Sequence, residues 1–184
     1  MRNFYIDGTP SADFLIFASG ENAYNAAERG VENISIPGRN GDLLIDNGTF
    51  KNIDVKYPCV IPMRFLDNVV DIRGWLMANA NGYHKITDDY DSTHFRMGRY
   101  KGGIEFAPMY ANQAAATFDI VFDCKPQRFL NSGETVISVT NGRTISNPSR
   151  FDSLPEITVN GARSGAKLTI NGYVITFNGN FTGK

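Results

Sequence analysis

The stretch ISIPGRNGDLLIDNGTFKNIDVKYPCVI, residues 34–61, decides the fold class of this chain. Its PGRNGD segment combines Pro37, which cannot donate to a strand ladder, with two glycines that accept positive φ, so it predicts a tight loop. In its second half, apolar residues alternate with mostly polar ones at a period of two, which is typical of a half-buried strand. The stretch therefore predicts a hairpin over Ile34–Ile45, then a second Asn-Gly turn and a long strand over Phe50–Pro62.

Asn-Gly dipeptides extend this signal along the chain. The pair is the preferred centre of a type I′ hairpin turn because both of its residues tolerate positive φ. We therefore expect a mainly β protein organised by hairpins. The seven pairs lie at 40–41, 47–48, 81–82, 141–142, 160–161, 171–172 and 178–179. Further strands are predicted at Phe4–Ile6, Phe14–Phe17, Asn33–Pro37, Tyr83–Thr87, Phe95–Tyr100, Ile104–Tyr110 and Ala115–Pro126, the last two forming a hairpin.

One segment, near residues 67–79, has helical periodicity instead. Its apolar residues recur at helical spacing, and Asp67 or Asn68 can cap its first turn. Gly74 weakens such a helix by about 1 kcal/mol relative to alanine, so tertiary packing must hold it. We expect Trp75 to be the anchor that packs this helix on a sheet.

Composition narrows the classes of function. Of the 184 residues, 42% are hydrophobic and 20% are charged, so the chain can bury a core. Eighteen basic residues against nineteen acidic ones give a net charge of -1, which argues against a dedicated nucleic-acid binder. No apolar run approaches the roughly 20 residues that span a bilayer, and Met1 is not followed by the apolar core of a signal peptide. We expect a soluble protein made in a cytoplasm, with no membrane partner.

The two cysteines, Cys59 and Cys124, continue the apolar alternation of predicted strands. A free cysteine on such a face behaves as a small hydrophobe, so we expect both thiols to be buried and reduced. A disulfide is the alternative, although it is uncommon in a cytosolic product. No CxxC pair or nearby histidine indicates a metal site.

The best candidate for catalysis is the segment DDYDSTH, in which His94 follows Asp88, Asp89 and Asp91. It lacks the glycine and glutamate that a calcium-binding EF-hand requires, and the HExxH, GxSxG and Walker motifs are absent from the chain. We interpret the segment as a solvated loop and the protein as a non-enzyme without cofactor or metal. A metal-dependent hydrolase that uses the Asp88–His94 loop remains an alternative, which metal analysis would test.

The composition shifts from Glu134 onward, where aromatic residues become rare and Thr, Ser, Asn and Gly increase. The segments TVISVT, PEITVN, KLTIN and YVITFN are predicted as short strands of a second all-β domain, a sandwich or jelly roll. They are too few to close such a fold. We therefore expect their sheet to be completed by further residues or by another partner.

The order of these segments resembles the distal tail protein (Dit) family of siphophages. The resemblance lies in FYIDG near the start, the PGRNG loop with its following strand, DNVVDIRGWLMAN, YHKITDDYDSTHFRMGRYKGGIEF and FDIVFDCKPQRF. NPSRFDSLPEITVNG and KLTINGYVITFNG resemble the opening strands of the family's galectin-like C-terminal domain. The resemblance implies an N-terminal ring-forming domain over residues 1–131, a β-sandwich or split barrel with one α-helix and an extended hairpin. A partial galectin-like or jelly-roll domain over 132–184 would follow.

The resemblance also implies a function. Members of the family form a hexameric ring at the virion tail tip, which joins the tail tube to tail-associated and adsorption proteins and passes DNA through its lumen. For this chain it implies a homo-hexameric structural hub of a phage or prophage, assembled in the bacterial cytoplasm. The alternative is a carbohydrate- or receptor-binding β module of a baseplate, which titration with cell-wall saccharides would reveal.

The predicted hairpin suggests where subunits meet. An exposed hairpin with three apolar residues in a row would be an aggregation hazard in a monomer, but it can lie against a neighbour in a ring. The hypothesis is that Gly38, Arg39, Leu43, Leu44 and Ile45 contribute to the subunit interface, with Arg39 paired to a carboxylate of the neighbour. In the alternative, the hairpin packs on its own domain and Arg39 only fixes the turn.

Overall fold

The structure, a computed structural model, describes residues 2–18, 24–62, 68–105, 107–108, 115–180 and 182. The chain divides into two compact units, Met1–Val136 and Ile137–Lys184. The ring-forming and galectin-like roles that the family resemblance implies for the two predicted domains stay predictions.

The first unit is mainly β with one α-helix, as predicted. Its helix is α1 (Val69–Ala78), and two short 3-10 turns cover Ser11–Phe14 and Asn131–Glu134. Its strands are β1 (Phe4–Ile6), β2 (Thr9–Pro10), β3 (Phe17–Ala18), β4 (Arg29–Ile34), β5 (Leu43–Phe50), β6 (Ile53–Pro62), β7 (His84–Asp88), β8 (Asp91–Tyr100), β9 (Ala107–Pro108), β10 (Ala115–Cys124) and β11 (Phe129–Leu130). The second unit contains β12 (Lys167–Ile170) and β13 (Tyr173–Thr176).

Nine of these strands form one antiparallel sheet that curls into a half-barrel. Seven of them follow the order β2-β1-β7-β8-β10-β6-β3, with β11 added to β8 and β9 added to β10. The sheet centres on β6 and β10, which pair along their whole length from Ala115 opposite Pro62 to Cys124 opposite Ile53. Within the part of the chain that the structure describes, strands β4 and β5 pair only with each other.

The core lies on one face of this sheet because β6 and β10 alternate buried and more exposed residues. Every second side chain of β10 is buried, from Ala116 to Cys124. Ile72 and Leu76 of α1 are fully buried in the same core. Trp75 stacks on Phe4 of β1 at 5.8 Å between ring centroids, which confirms its predicted role as the anchor that packs the helix on the sheet, and it also stacks on Phe14 at 4.4 Å.

The cap predicted for α1 is confirmed only in its position. Asn68 is the residue before the helix, but its side chain makes no capping hydrogen bond. Asp67 lies outside the described residues. No helix within the described ranges is long and apolar enough to cross a membrane.

The predicted strand Phe14–Phe17 is wrong. A 3-10 turn covers Ser11–Phe14 and Leu15 takes positive φ, so that β3 begins only at Phe17. The turn is stabilised from outside the segment, because the buried Ser11 hydroxyl accepts a hydrogen bond from the backbone N–H of Phe4. The strand predicted over Asn33–Pro37 is displaced and ends at Ile34, since the carbonyl of Ile36 accepts the N–H of Arg39 inside the loop.

The predicted turn at Asn47–Gly48 is also wrong, because β5 continues through both residues to Phe50. The pairing shifts register between Arg29 and Val31 of β4, so the extra residues of β5 form a bulge rather than a hairpin turn. Gly48 has a φ of 73°, and its N–H donates to the Asp46 carboxylate at 2.8 Å.

The second unit holds fewer strands than predicted. KLTIN and YVITFN form the hairpin β12–β13, whose two-residue turn Asn171–Gly172 has positive φ at both positions. TVISVT and PEITVN are not strands, and their apolar residues Val136 and Ile157 are exposed. Among the described residues, Asn171–Gly172 is the one Asn-Gly pair that forms the centre of a two-residue β-hairpin.

Candidate functional site

The hairpin formed by β4 and β5 is the candidate site, and it stands apart from the core. All eight residues of β5 are exposed, and in β4 only Gly30 is buried. The exposed large apolar residues of the hairpin are Ile34, Leu43, Leu44, Ile45 and Phe50. The predicted extended, apolar hairpin is therefore confirmed, and these exposed side chains do not pack on their own domain as the alternative to a subunit interface required.

The register of the hairpin separates the predicted interface residues into two faces. Ile34 pairs with Leu43 and Glu32 pairs with Ile45, so these side chains share one face because directly opposed residues project to the same side. We call Ile34, Leu43 and Ile45 the apolar stripe. Leu44 pairs with Asn33 and therefore projects to the opposite face.

The tip of the hairpin carries Gly38 and Arg39. Gly38 and Gly41 have φ of 79° and 82°, a region that other residues resist, so both glycines are needed to turn the chain here. The Arg39 backbone N–H donates to the carbonyl of Ile36 at 3.1 Å. Its guanidinium makes no ion pair with the residues that the structure describes and is free to meet a carboxylate of another molecule.

The base of the hairpin is fixed by residues that the sequence reasoning missed. Arg29 of β4 makes a bidentate ion pair with Asp46 of β5, with Nε–Oδ1 and Nη2–Oδ2 distances of 2.9 Å. The Arg29 guanidinium also lies over the Phe50 ring, 4.8 Å from its centroid. Hydrogen bonds from Arg29 and from the Gly48 N–H lower the pKa of Asp46. Predicting this ion pair requires the pairing register of β4 and β5. The register cannot be read from the sequence because of the bulge at Gly48.

The Asp88–His94 segment is not the solvated loop that was predicted. Only residues 89–90 form a turn, between β7 and β8, and residues 91–94 belong to β8. The turn is tight because the Asp88 carboxylate accepts hydrogen bonds from the backbone N–H groups of Tyr90 and Asp91 at 2.9 Å. Asp88 also accepts the Tyr57 hydroxyl at 2.7 Å, and Asp89 accepts the Tyr5 hydroxyl at 2.9 Å.

The remaining acid of that turn, Asp91, is equally engaged in structure. Its carboxylate accepts the Thr93 hydroxyl and lies 3.0 Å from His94 Nδ1 and 2.9 Å from Arg128 Nη1. Burial opposes ionisation, but the hydrogen bonds from Thr93 and His94 outweigh it and lower the pKa of Asp91 to about 2. The described part of the chain holds no group of three or more acidic, histidine or cysteine side chains placed to bind a metal ion.

Both cysteines are free and buried, as predicted. Cys59 lies opposite Phe118 of β10, six residue pairs from Cys124, which places the thiols about 20 Å apart, too far for a disulfide. Burial raises the pKa of the Cys124 thiol to about 12 and that of Cys59 still higher, so neither is a reactive thiolate at neutral pH.

The sugar-binding alternative gains no defined site from the second unit. Tyr173 and Phe151 are exposed there, but they lie on a two-stranded hairpin and on irregular chain respectively. A saccharide site needs aromatic faces arranged around polar groups in a concave surface. Carbohydrate binding by this unit stays a prediction.

Comparison with known proteins gives a likeness of fold. No protein-family model matches the chain, and no curated protein matches it. Among solved structures, it is similar to the SPP1 Dit protein (gp 19.1), described as a paradigm of the hub adsorption apparatus in phages that infect Gram-positive bacteria. The TM-score is 0.56 at 12% identity, and the match covers 70% of this chain and 51% of the Dit chain. The chain thus matches about half the length of that protein and has a Dit-like fold.

Proposed function

We propose that this chain is a structural hub subunit of a phage tail tip, a non-enzymatic protein whose copies form a hexameric ring. The ring would join the tail tube to the tail-associated and adsorption proteins of the virion. The observation that carries the proposal is the apolar stripe Ile34, Leu43 and Ile45, exposed on a hairpin that stands outside the sheet of a Dit-like fold.

Physical chemistry supports an oligomer. A two-stranded hairpin is marginally stable in water on its own, and an exposed apolar patch on an edge is an aggregation hazard unless a partner covers it. A contact between the hairpin of one copy and a different surface of the next is heterologous, and such contacts close into rings when the rotation allows. In an assembly, a neighbouring copy would cover the apolar side chains of the hairpin, which stay exposed to solvent in a monomer.

The charge of the chain supports the lumen role. The net charge of -1 leaves no basic excess to hold phosphates, so DNA could pass through such a ring without binding tightly. Asp88 and Asp91 belonged to the best candidate for a catalytic or metal site in the sequence. Their carboxylates accept hydrogen bonds at the turn between β7 and β8, from the Tyr90 N–H and from Arg128. Their use in structure supports a hub without catalysis.

The experiment is to size the purified full chain by sedimentation velocity and to image it by negative stain. We expect hexameric rings. The variant Leu43→Asp/Ile45→Asp should stay folded and become monomeric, because it places two charges in the stripe. Leu44→Asp is the matched control, since Leu44 projects to the opposite face, and it should still form rings. A chain that is monomeric at every accessible concentration would contradict the proposed function, and rings from the double variant would exclude the stripe.

A further inference from the structure

The exposed side of α1 forms a second unpartnered surface in the same unit. Val70 and Met77 are 77% and 66% exposed, and they flank Gly74 on one face of the helix. Val70, together with the stacked rings of Phe14 and Trp75, borders an open groove, and Met77 lies beyond it on the same helix face. The groove is lined by Asp13, Phe14, Asn68, Val70, Asp71, Gly74 and Trp75. We call it the helix groove.

Gly74 makes the groove. Glycine in the middle of a helix lowers helix stability, so a packing reason is expected for it. No atom of the described chain lies within 4 Å of the position that a Cβ would occupy at Gly74, so internal packing does not require a glycine there. The missing side chain leaves a gap between Val70 and Met77 into which a side chain of another molecule can enter.

The groove is also acidic. Asp13 and Asp71 line it, both are exposed, and neither makes an ion pair with the residues that the structure describes. An occupant of matching chemistry would combine apolar side chains with an unpaired cation. Being open rather than enclosed, the groove suits a protein segment better than a small molecule.

We propose that the occupant is the β4–β5 hairpin of a second copy of this chain. Its apolar stripe would lie over Val70 and Gly74, and its Arg39 would pair with Asp71 or Asp13. This inference rests on the proposed function and names the surface that receives the hairpin.

The two surfaces match in charge and length. Arg39 is the unpaired cation at the hairpin tip, on the same end as Leu43, and Asp71 lies next to Val70 at the start of α1. Leu43 and Ile45 lie about 7 Å apart along β5, and Val70 and Gly74 lie about 6 Å apart along the helix. From Phe50 to Leu43 the hairpin extends about 25 Å, the scale of a small domain, so its tip can reach a neighbouring subunit.

Mixing two defective variants tests the pairing. Leu43→Asp damages the hairpin and leaves the groove intact, whereas Gly74→Glu fills the groove and leaves the hairpin intact. Each alone should need at least about tenfold more protein than wild type to assemble. Because one sound contact remains between them, an equimolar mixture should form dimers and nothing larger. Arg73→Glu, on the same helix but outside the groove lining, is the control and should assemble like wild type.

A cross-link separates this inference from the proposed function. Leu43→Cys in one chain and Gly74→Cys in another should form a disulfide-linked dimer on mild oxidation, since the native thiols are buried. Ring formation by Gly74→Glu alone, a mixture that stays monomeric, or the absence of the cross-link would each overturn the inference. The proposed hub function would still hold in those cases if the wild-type chain forms rings. A cross-link in chains that never form rings would support the contact and contradict the hexameric hub.

Discussion

Two hairpins of the first unit, β7–β8 and β4–β5, lie in opposite environments. The β7–β8 hairpin lies inside the nine-stranded sheet between β1 and β10, and the carboxylates of its turn are bonded to distant parts of the chain. The β4–β5 hairpin forms its own sheet, and the Arg39 guanidinium at its tip meets no described residue. The first hairpin has sheet neighbours of its own chain on both sides, whereas the second exposes its large apolar side chains.

The largest expected contrast between the hairpins is in core packing. Ile86 of β7 is 2% exposed and Ile45 of β5 is 41% exposed. Ile86→Ala should lower the free energy of unfolding by about 2–5 kcal/mol, because it leaves a cavity in the core. Ile45→Ala should change it by less than about 0.5 kcal/mol. Urea denaturation measures both values when each substitution is made in the Leu43→Asp variant at concentrations where it is monomeric, and comparable losses for the two substitutions would show that the hairpins do not differ as described.

A smaller contrast is expected in acid. The lowered pKa of Asp91, about 2 against an ordinary 3.8, stabilises the fold above about pH 4. That contribution, about 2 kcal/mol at full size, should be lost as the pH falls from 4 towards 2, because the unfolded chain then binds the proton first. Urea denaturation at pH 5 and at pH 2.5 measures the loss. Asp91→Asn removes the titrating group, so its loss of stability between pH 5 and pH 2.5 should be smaller by about 1.5 kcal/mol, the part of the contribution that is lost by pH 2.5. An unchanged loss would contradict the role given to Asp91.

The smallest contrast concerns the base of the β4–β5 hairpin. Asp46 has a lowered pKa, but it is exposed in a hairpin outside the core. Asp46→Asn should leave global unfolding unchanged while the Gly48 N–H, which donates to Asp46, exchanges faster with solvent. Amide hydrogen exchange measures this local effect. A cooperative loss of stability would instead show that the hairpin folds as one unit with the sheet.

Patterns within single strands were sufficient to predict much of this fold. The alternation through β6 and β10 fixed which side chains of those strands are buried, including both cysteines. The PGRNGD segment was sufficient to predict the hairpin and its tip, because the residues within a tight turn, here Gly38 and Gly41, decide the conformation of that turn. These successes concern residues whose neighbours in sequence decide their conformation.

The failures concern residues decided by distant partners. The Asp88–Asp91 segment read as a polar loop because the Tyr57 hydroxyl that binds Asp88 comes from another strand. The Asn47–Gly48 pair read as a turn because the Arg29–Asp46 pairing that carries β5 past it depends on register. TVISVT and PEITVN have strand-like composition, but strand formation needs a neighbour to pair with, and the described chain supplies none. In the candidate site, the separation of Leu44 from Leu43 and Ile45 likewise required the register.

The ends of the nine-stranded sheet have a consequence for how the protein behaves at high concentration. The end strand β2 has only two residues, one of which is Pro10, and at the other end the backbone of Ala18 in β3 is hydrogen-bonded to Arg2, so the described ends offer another chain few free backbone groups to extend the sheet. Uncontrolled fibre growth from that sheet is thereby discouraged. The exposed apolar side chains proposed for association lie outside that sheet, on the β4–β5 hairpin and in the helix groove.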